Sequence, residues 1–307
     1  VLPWKIYSGV SPVELAVNRP GNPLSLLKFV SENHDFMKIS LHTVAKDAIR
    51  LDYHLVEMLK HHARFVDEII VMEGFSSDGT FEAIQSISDK IKIVREPWSQ
   101  TQHLPSYHDL GKSHCTGDWC IKLDADEFIP EWEWGRLRAF LETTKDLFVP
   151  VRLRNFYGNY KVEHVNPKRL AWPEYKWSIY PNREDVRFWG DGSNVRIEGK
   201  ELYYGRAEES FEVHHFGTVR FAARLREKWR TQAIRNQKHT GKYSHRGRIF
   251  PLPKWLFDLF PYNWMEPEIL EDLRIYPGPY IDIVEKNPEL FTRDNFVTYN
   301  YLVKSSL

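Results

Sequence analysis

The chain has 307 residues, with 42 Lys and Arg against 42 Asp and Glu, and a formal net charge of zero. With 27% charged and 42% apolar residues it has an ordinary globular composition, which excludes global disorder. No apolar run approaches the ~20 residues of a membrane-spanning helix, and two cysteines, Cys115 and Cys120, are too few for a disulfide framework. Val1 to Gly9 shows no basic start followed by an apolar stretch, and two cysteines that read as ordinary thiols make a reducing, cytoplasmic setting the expectation.

Residues 1–36 carry Pro3, Pro12, Pro20 and Pro23 without a sustained period and read as an N-terminal extension. Ile39 to Ala45 is a short apolar run with β-branched residues, a buried strand. Leu51, Leu55, Met58, Leu59, His62 and Phe65 repeat at helical spacing, and Glu68 to Met72 is a second strand. Ser76 to Thr80 is a turn with capping chemistry, leading into a helix through Phe81, Ala83, Ile84 and Ile87. Ile91 to Val94, a helix near Leu104 to Thr116, and a strand at Trp119 to Leu123 complete the series. Strands alternating with helices predict a mostly parallel sheet flanked by helices, which binds ligands beyond the strands' carboxyl ends. After Asp146, short runs at Leu147 to Leu153, Trp177 to Tyr180 and Val186 to Trp189 suggest an antiparallel extension. A helix is predicted over Val219 to Lys238, followed by the aromatic, Pro-rich Phe250 to Trp264 and an acidic tail.

Asp124-Ala125-Asp126-Glu127 closes a buried strand with three carboxylates. Such a cluster is stable only beside a cation or hydrogen-bond donors. Hard divalent ions take oxygen ligands and share them with substrate phosphates, so the arrangement suits a metal-diphosphate.

Two blocks about 40 residues apart make the chain resemble a family 2 glycosyltransferase of the GT-A fold. Glu68 to Thr80 is similar to that family's second strand and its acidic-x-x-Ser-x-Asp-Gly-Thr turn, and Gly117 to Glu127 to its G-D-W-strand-D-A-D-E segment. The likeness is good over Met37 to Pro130, patchy to Gly217 and absent elsewhere. It implies an α/β, nucleotide-diphospho-sugar transferase-like fold with a catalytic domain over 37–217. Residues 37–130 would bind the nucleotide, 131–217 the acceptor, and 218–307 would form a basic-helix and aromatic C-terminal region.

The resemblance also implies roles. Thr43, Val44, Ala45 and Lys46 would face the base or phosphates, Glu73 would contact base or ribose, and Asp78 is the acid of the turn, with helix capping as its other reading. His108 and Asp109 stand where the family often has Arg-Asn. Asp124 and Ala125 would lie near the donor, Asp124 also near the metal, and Asp126 would bind Mn²⁺ or Mg²⁺ directly. In His214-His215-Phe216-Gly217, His215 matches the family's late metal-site histidine. Asp191, between two glycines, is the first choice of base, with Glu208 and Glu209 as alternates.

The expected activity is metal-dependent transfer of a sugar, with inversion, from a nucleotide-sugar, a UDP-sugar first, to a saccharide or glycolipid. Residues 220–264 combine positive charge with aromatics; packing onto the catalytic domain is the first reading and peripheral contact with the inner face of the membrane the second. Nucleic acid is a less favoured partner. A sugar-nucleotide pyrophosphorylase would need a Gly-rich loop after the first strand, and His42 to Asp47 has no Gly. A non-catalytic glycan- or nucleic-acid-binding protein is the alternative of a different class.

Overall fold

The computed structural model describes residues 37–98, 104–165, 175–189, 192, 194–197, 200–201, 210–221, 223–225, 227–228, 231, 244–245, 248–249 and 272–293. The chain divides into two units, Val1–Phe36 and Met37–Leu307, and every described residue belongs to the second. The expected N-terminal extension and the aromatic segment Phe250 to Trp264 therefore lie outside the described residues.

Strands β1 (Ile39–Ala45), β2 (Glu68–Glu73), β3 (Ile91–Arg95) and β4 (Trp119–Lys122) form the parallel part of the sheet, in the order β3-β2-β1-β4. Helices α1 (Leu55–His62), α2 (Thr80–Ile84) and α3 (Leu104–Ser113) connect them. Alternation along β2 explains why the sheet is covered on both faces. Ile69 and Val71 enter one core, whereas Ile70 and Met72 enter the other. Each such side chain contributes roughly 1.5–3 kcal/mol on burial. The Met72 face receives α3 closely, because a side chain at Gly111 would come within 3.0 Å of Met72.

The helix predicted from Leu51 begins only at Leu55. Asp52 adopts φ 55°, and Tyr53 N–H bonds back to Ala48 O at 2.8 Å, so the chain turns first.

Past β4 the pairing turns mostly antiparallel, as predicted. Two-residue β5 (Glu127–Phe128) leads to α4 (Glu133–Thr143), which the sequence reading missed although Trp134, Leu137 and Leu141 form its buried stripe. The sheet continues through β6 (Val149–Tyr157), β7 (Asn159–His164) and β8 (Tyr175–Pro181), with β8 between β4 and β6. Strands β9 (Arg187–Trp189), β10 (Asn194–Ile197) and β11 (Lys200–Glu201) make a small separate sheet. Strand β12 (Phe211–His215) runs parallel to β6 and antiparallel to β5.

Of the helix predicted over Val219 to Lys238, the first three residues, Val219 to Phe221, are not helical, whereas residues 223–225, 227–228 and 231 are described and helical. Beyond it, β13 (Ser244–His245) pairs with β14 (Arg248–Ile249), and β15 (Leu273–Ile275) adds to β7. Helix α5 (Asp282–Lys286) follows within the predicted acidic tail. Both cysteines are free and buried. Among the described residues no helix is long and apolar enough to cross a membrane.

Candidate functional site

The acidic segment sits at the carboxyl end of β4, and the register of β12 decides what faces it. His215 pairs with Glu127 across the β12–β5 ladder, and Phe216 N–H bonds to Asp126 O at 2.8 Å. Alternation then splits the two histidines. His214 lies on the Glu212 side, with Nε2 2.7 Å from Glu212 Oε1, whereas His215 Nε2 lies 3.8 Å from Asp126 Oδ1. Gly217 is required here, since a Cβ at that position would overlap the His215 imidazole.

Asp126 is 2% exposed and is held by residues from beyond β12. Its Oδ2 accepts from Arg220 Nη2 at 2.5 Å and Lys228 Nζ at 3.2 Å. Arg220 also donates to Gly217 O and Leu51 O, and its guanidinium stacks on Tyr53 at 3.6 Å. Burial alone would raise the Asp126 pKa, but Lys228 and Arg220 outweigh it and keep the carboxyl ionised far below the usual range.

Asp124 lies partly open and pairs elsewhere. Its Oδ1 accepts from Lys122 Nζ at 2.7 Å and its Oδ2 from Lys176 Nζ at 2.9 Å. Lys176 also holds Glu127 Oε1 at 2.5 Å, while Glu127 Oε2 accepts from Asp124 N–H at 2.9 Å. Against burial, which opposes its charge, Asp124 and Glu127 raise the Lys176 pKa above the ordinary ammonium range. Three carboxylates therefore meet four cations, Lys122, Lys176, Arg220 and Lys228.

The three expected metal ligands are not all brought together. Asp124, Asp126 and His215 do not offer ligand atoms within 4.8 Å of one another, because Asp124 faces its lysines. Asp126 and His215 do fit one divalent ion. Their 3.8 Å separation is within the roughly 4 Å that two ligands with ~2.1 Å bonds can span. Asn155 Oδ1, 2.7 Å from His215 Nδ1, can only accept, so Nδ1 carries the hydrogen and Nε2 presents its lone pair toward Asp126. Burial lowers the His215 pKa and favours that neutral form.

The remaining expected contacts lie mostly within their own loops. Glu73 is buried, accepting from Ser76 N–H at 2.6 Å, Phe75 N–H at 3.1 Å and Arg95 Nε at 2.8 Å. Asp78 accepts from Arg50 N–H at 2.7 Å and from the Thr80 N–H and hydroxyl, which ties the loop after β1 to the start of α2. Thr43 and Ala45 are buried in β1 and Val44 is half-buried beside them, while Lys46 reaches Phe75 O at 2.9 Å. Ala125 is buried in the core. His108 is fully buried among His42 and Phe188, and Asp109 caps Phe188 N–H at 2.9 Å.

Asp191, Glu208 and Glu209 lie outside the described residues. Next to Asp191, Gly192 has φ +88° and a Cβ there would come within 2.7 Å of His108, a place for glycine only.

The sequence reading missed Lys122, Lys176, Asn155, Arg220 and Lys228. Lys122 had a local signal, the last residue of its strand and two residues before Asp124. Arg220 and Lys228 had been read only as members of a basic stretch.

Glu212, opposite the site on β12, yields a pH test. Burial pushes its pKa up, yet His214 and Arg154 bring it down to about 2 from 4.5. Its folded value is below its unfolded one, so its stabilisation is full above about pH 4.5 and disappears as pH falls toward about 2. Denaturant titrations over that range should give a shallower acid-side loss for Glu212→Gln than for the parent.

The model of glycosyl transferase family 2 matches residues 54–209. No curated protein matches the chain. Among solved structures, TarS 1-349 of S. aureus is 11% identical over 67% of this chain and 72% of that one, with a TM-score of 0.41. The same protein in complex with UDP-GlcNAc is 13% identical over 66% and 67%, with a TM-score of 0.42. Glucosyl-3-phosphoglycerate synthase from Mycobacterium tuberculosis, in complex with Mn²⁺, UDP and phosphoglyceric acid, is 17% identical over 45% and 49%, with a TM-score of 0.31.

Proposed function

We propose, from the premise that the chain belongs to glycosyl transferase family 2 and is a glycosyltransferase of GT-A fold, that it transfers a sugar with inversion from a nucleotide-diphosphate donor to a saccharide or glycolipid hydroxyl. The observation that carries this reading is the convergence of Asp126 and His215 at the carboxyl end of β4, where an open α/β sheet binds its ligand.

Asp126 Oδ1 and His215 Nε2 would hold a divalent ion, Mn²⁺ or Mg²⁺. When bound, that ion offsets the charge developing on the departing diphosphate. Arg220 and Lys228 keep Asp126 ionised, and Asn155 fixes the tautomer of His215. Lys122 and Lys176 hold Asp124 charged at the mouth of the site. Asp191 is assigned the proton of the attacking hydroxyl. The acceptor oxygen bonds to the anomeric carbon as the bond to diphosphate breaks on the opposite face, which inverts the centre.

The test is calorimetry with UDP-, GDP-, CDP- and dTDP-sugars, with and without Mn²⁺. Metal-dependent binding of one donor class, a UDP-sugar first, is the expected result. If none binds under either condition, the reading fails.

A further inference from the structure

We propose that His61, Glu131 and Asp282 form a second divalent-cation site, of the class that takes one imidazole nitrogen and two carboxylate oxygens, and that an ion there clips α5 to α1. It shares no residue with the donor site and does not depend on the proposed activity.

The three residues come from the last turn of α1, the segment after β5, and the first position of α5. One imidazole nitrogen of His61, one oxygen of Glu131 and one of Asp282 lie within 4.8 Å of one another. Three buried side-chain atoms here, His61 Nδ1, Glu131 Oε2 and Asp282 Oδ1, have no hydrogen-bond partner. Native interiors leave only a few such atoms per hundred or so residues, and here three belong to one cluster.

The two imidazole nitrogens face different groups. His61 Nε2 lies 2.8 Å from Ile129 O, which can only accept, so the hydrogen of the neutral ring is on Nε2. Nδ1 then offers a lone pair to Asp282 Oδ1, 3.6 Å away and itself an acceptor. His61 is fully buried. Three acceptors facing one another without a hydrogen repel, and a cation between them removes the repulsion.

The outer contacts are those of a built site. A metal-binding histidine donates its other N–H to a carbonyl, as His61 does to Ile129. Glu131 Oε1 accepts from Asp282 N–H at 2.9 Å, which leaves Oε2 for the ion. Asp282 Oδ2 accepts from Arg64 Nη1 at 2.5 Å and Lys286 Nζ at 3.4 Å, which leaves Oδ1. One nitrogen and two oxygens suit Zn²⁺ first and Mn²⁺ second.

The test titrates ZnCl₂ or MnCl₂ alone, without nucleotide, into EDTA-treated and dialysed protein, followed by calorimetry and thermal unfolding. The expected result is an equivalent of Zn²⁺ bound that persists in His215→Gln, with a raised unfolding temperature. Glu131→Gln and Asp282→Asn should each weaken that binding about 10-fold or more, whereas His215→Gln should leave it in place. Two variants on different elements are used so that one that fails to fold does not remove the test. No binding by the parent, or binding lost in His215→Gln and kept in the other two, overturns the proposal.

Discussion

Asp126→Asn is expected to lower sugar transfer by about 10²–10³-fold, the range seen when one charge-stabilising group is removed from an active site. The substitution keeps the shape but removes the charge that Oδ1 offers beside His215 Nε2, 3.8 Å away. Asp126→Ala adds a second effect. It leaves Arg220 and Lys228 buried without their counter-charge, a loss of about 3–5 kcal/mol in stability. The two effects separate by measurement, with initial rates reporting the first and denaturant unfolding the second. Adding Lys228→Met to Asp126→Ala should recover part of the stability and none of the rate, because it removes an orphaned cation without restoring a ligand. An Asp126→Ala protein that turns over donor at the parent rate would remove Asp126 from the site.

Lys176→Met should be the most destabilising single change at the other carboxylates. Its ammonium, 3% exposed, holds both Asp124 Oδ2 and Glu127 Oε1, and Glu127 itself is 1% exposed. Without it Glu127 keeps, among the described residues, the Asp124 N–H, and a buried charge without its partner costs about 3–5 kcal/mol. For a protein of this size that corresponds to a fall in Tm of roughly 5–8 °C. The pH dependence follows from the direction of the Lys176 shift. Its folded pKa is above the unfolded 10.5, so the stabilisation is complete below about pH 10.5 and declines as pH rises through the folded value. A loss under about 1 kcal/mol in denaturant unfolding would mean that Lys176 is not the counter-ion of this cluster.

The assignment of Glu73 and Asp78 shows how a motif can be legible while its chemistry is not. Both acids stand where the family resemblance implies donor contacts, and both hold the backbone of neighbouring loops. Spacing alone does not distinguish a carboxylate that binds a ligand from one that shapes the loop around it. His108 raises the same difficulty in another form, because a polar residue on a short helix gives no sign of being enclosed by His42 and Phe188. The basic stretch went the other way. Read along the chain it is a run of positive charge beside aromatics, and only in the fold do Arg220 and Lys228 meet Asp126.

What the sequence determined by itself is the architecture and the place of the acidic segment within it. The β2 run, apolar on both faces, the helical spacing of α1 and the strand before Asp124 act over a few residues, within reach of local sterics and burial. Those same patterns leave the acidic segment at a sheet's carboxyl end. Only the tertiary structure decided which charges meet there. Lys176 is 52 residues from Asp124, and Arg220 and Lys228 are 94 and 102 from Asp126. Their encounter depends on the position of β8 beside β4 and on the β12–β5 register, which also turns His215 rather than His214 toward Asp126. A shift of one residue in that register would exchange the two histidines, because side chains alternate between the faces of a strand.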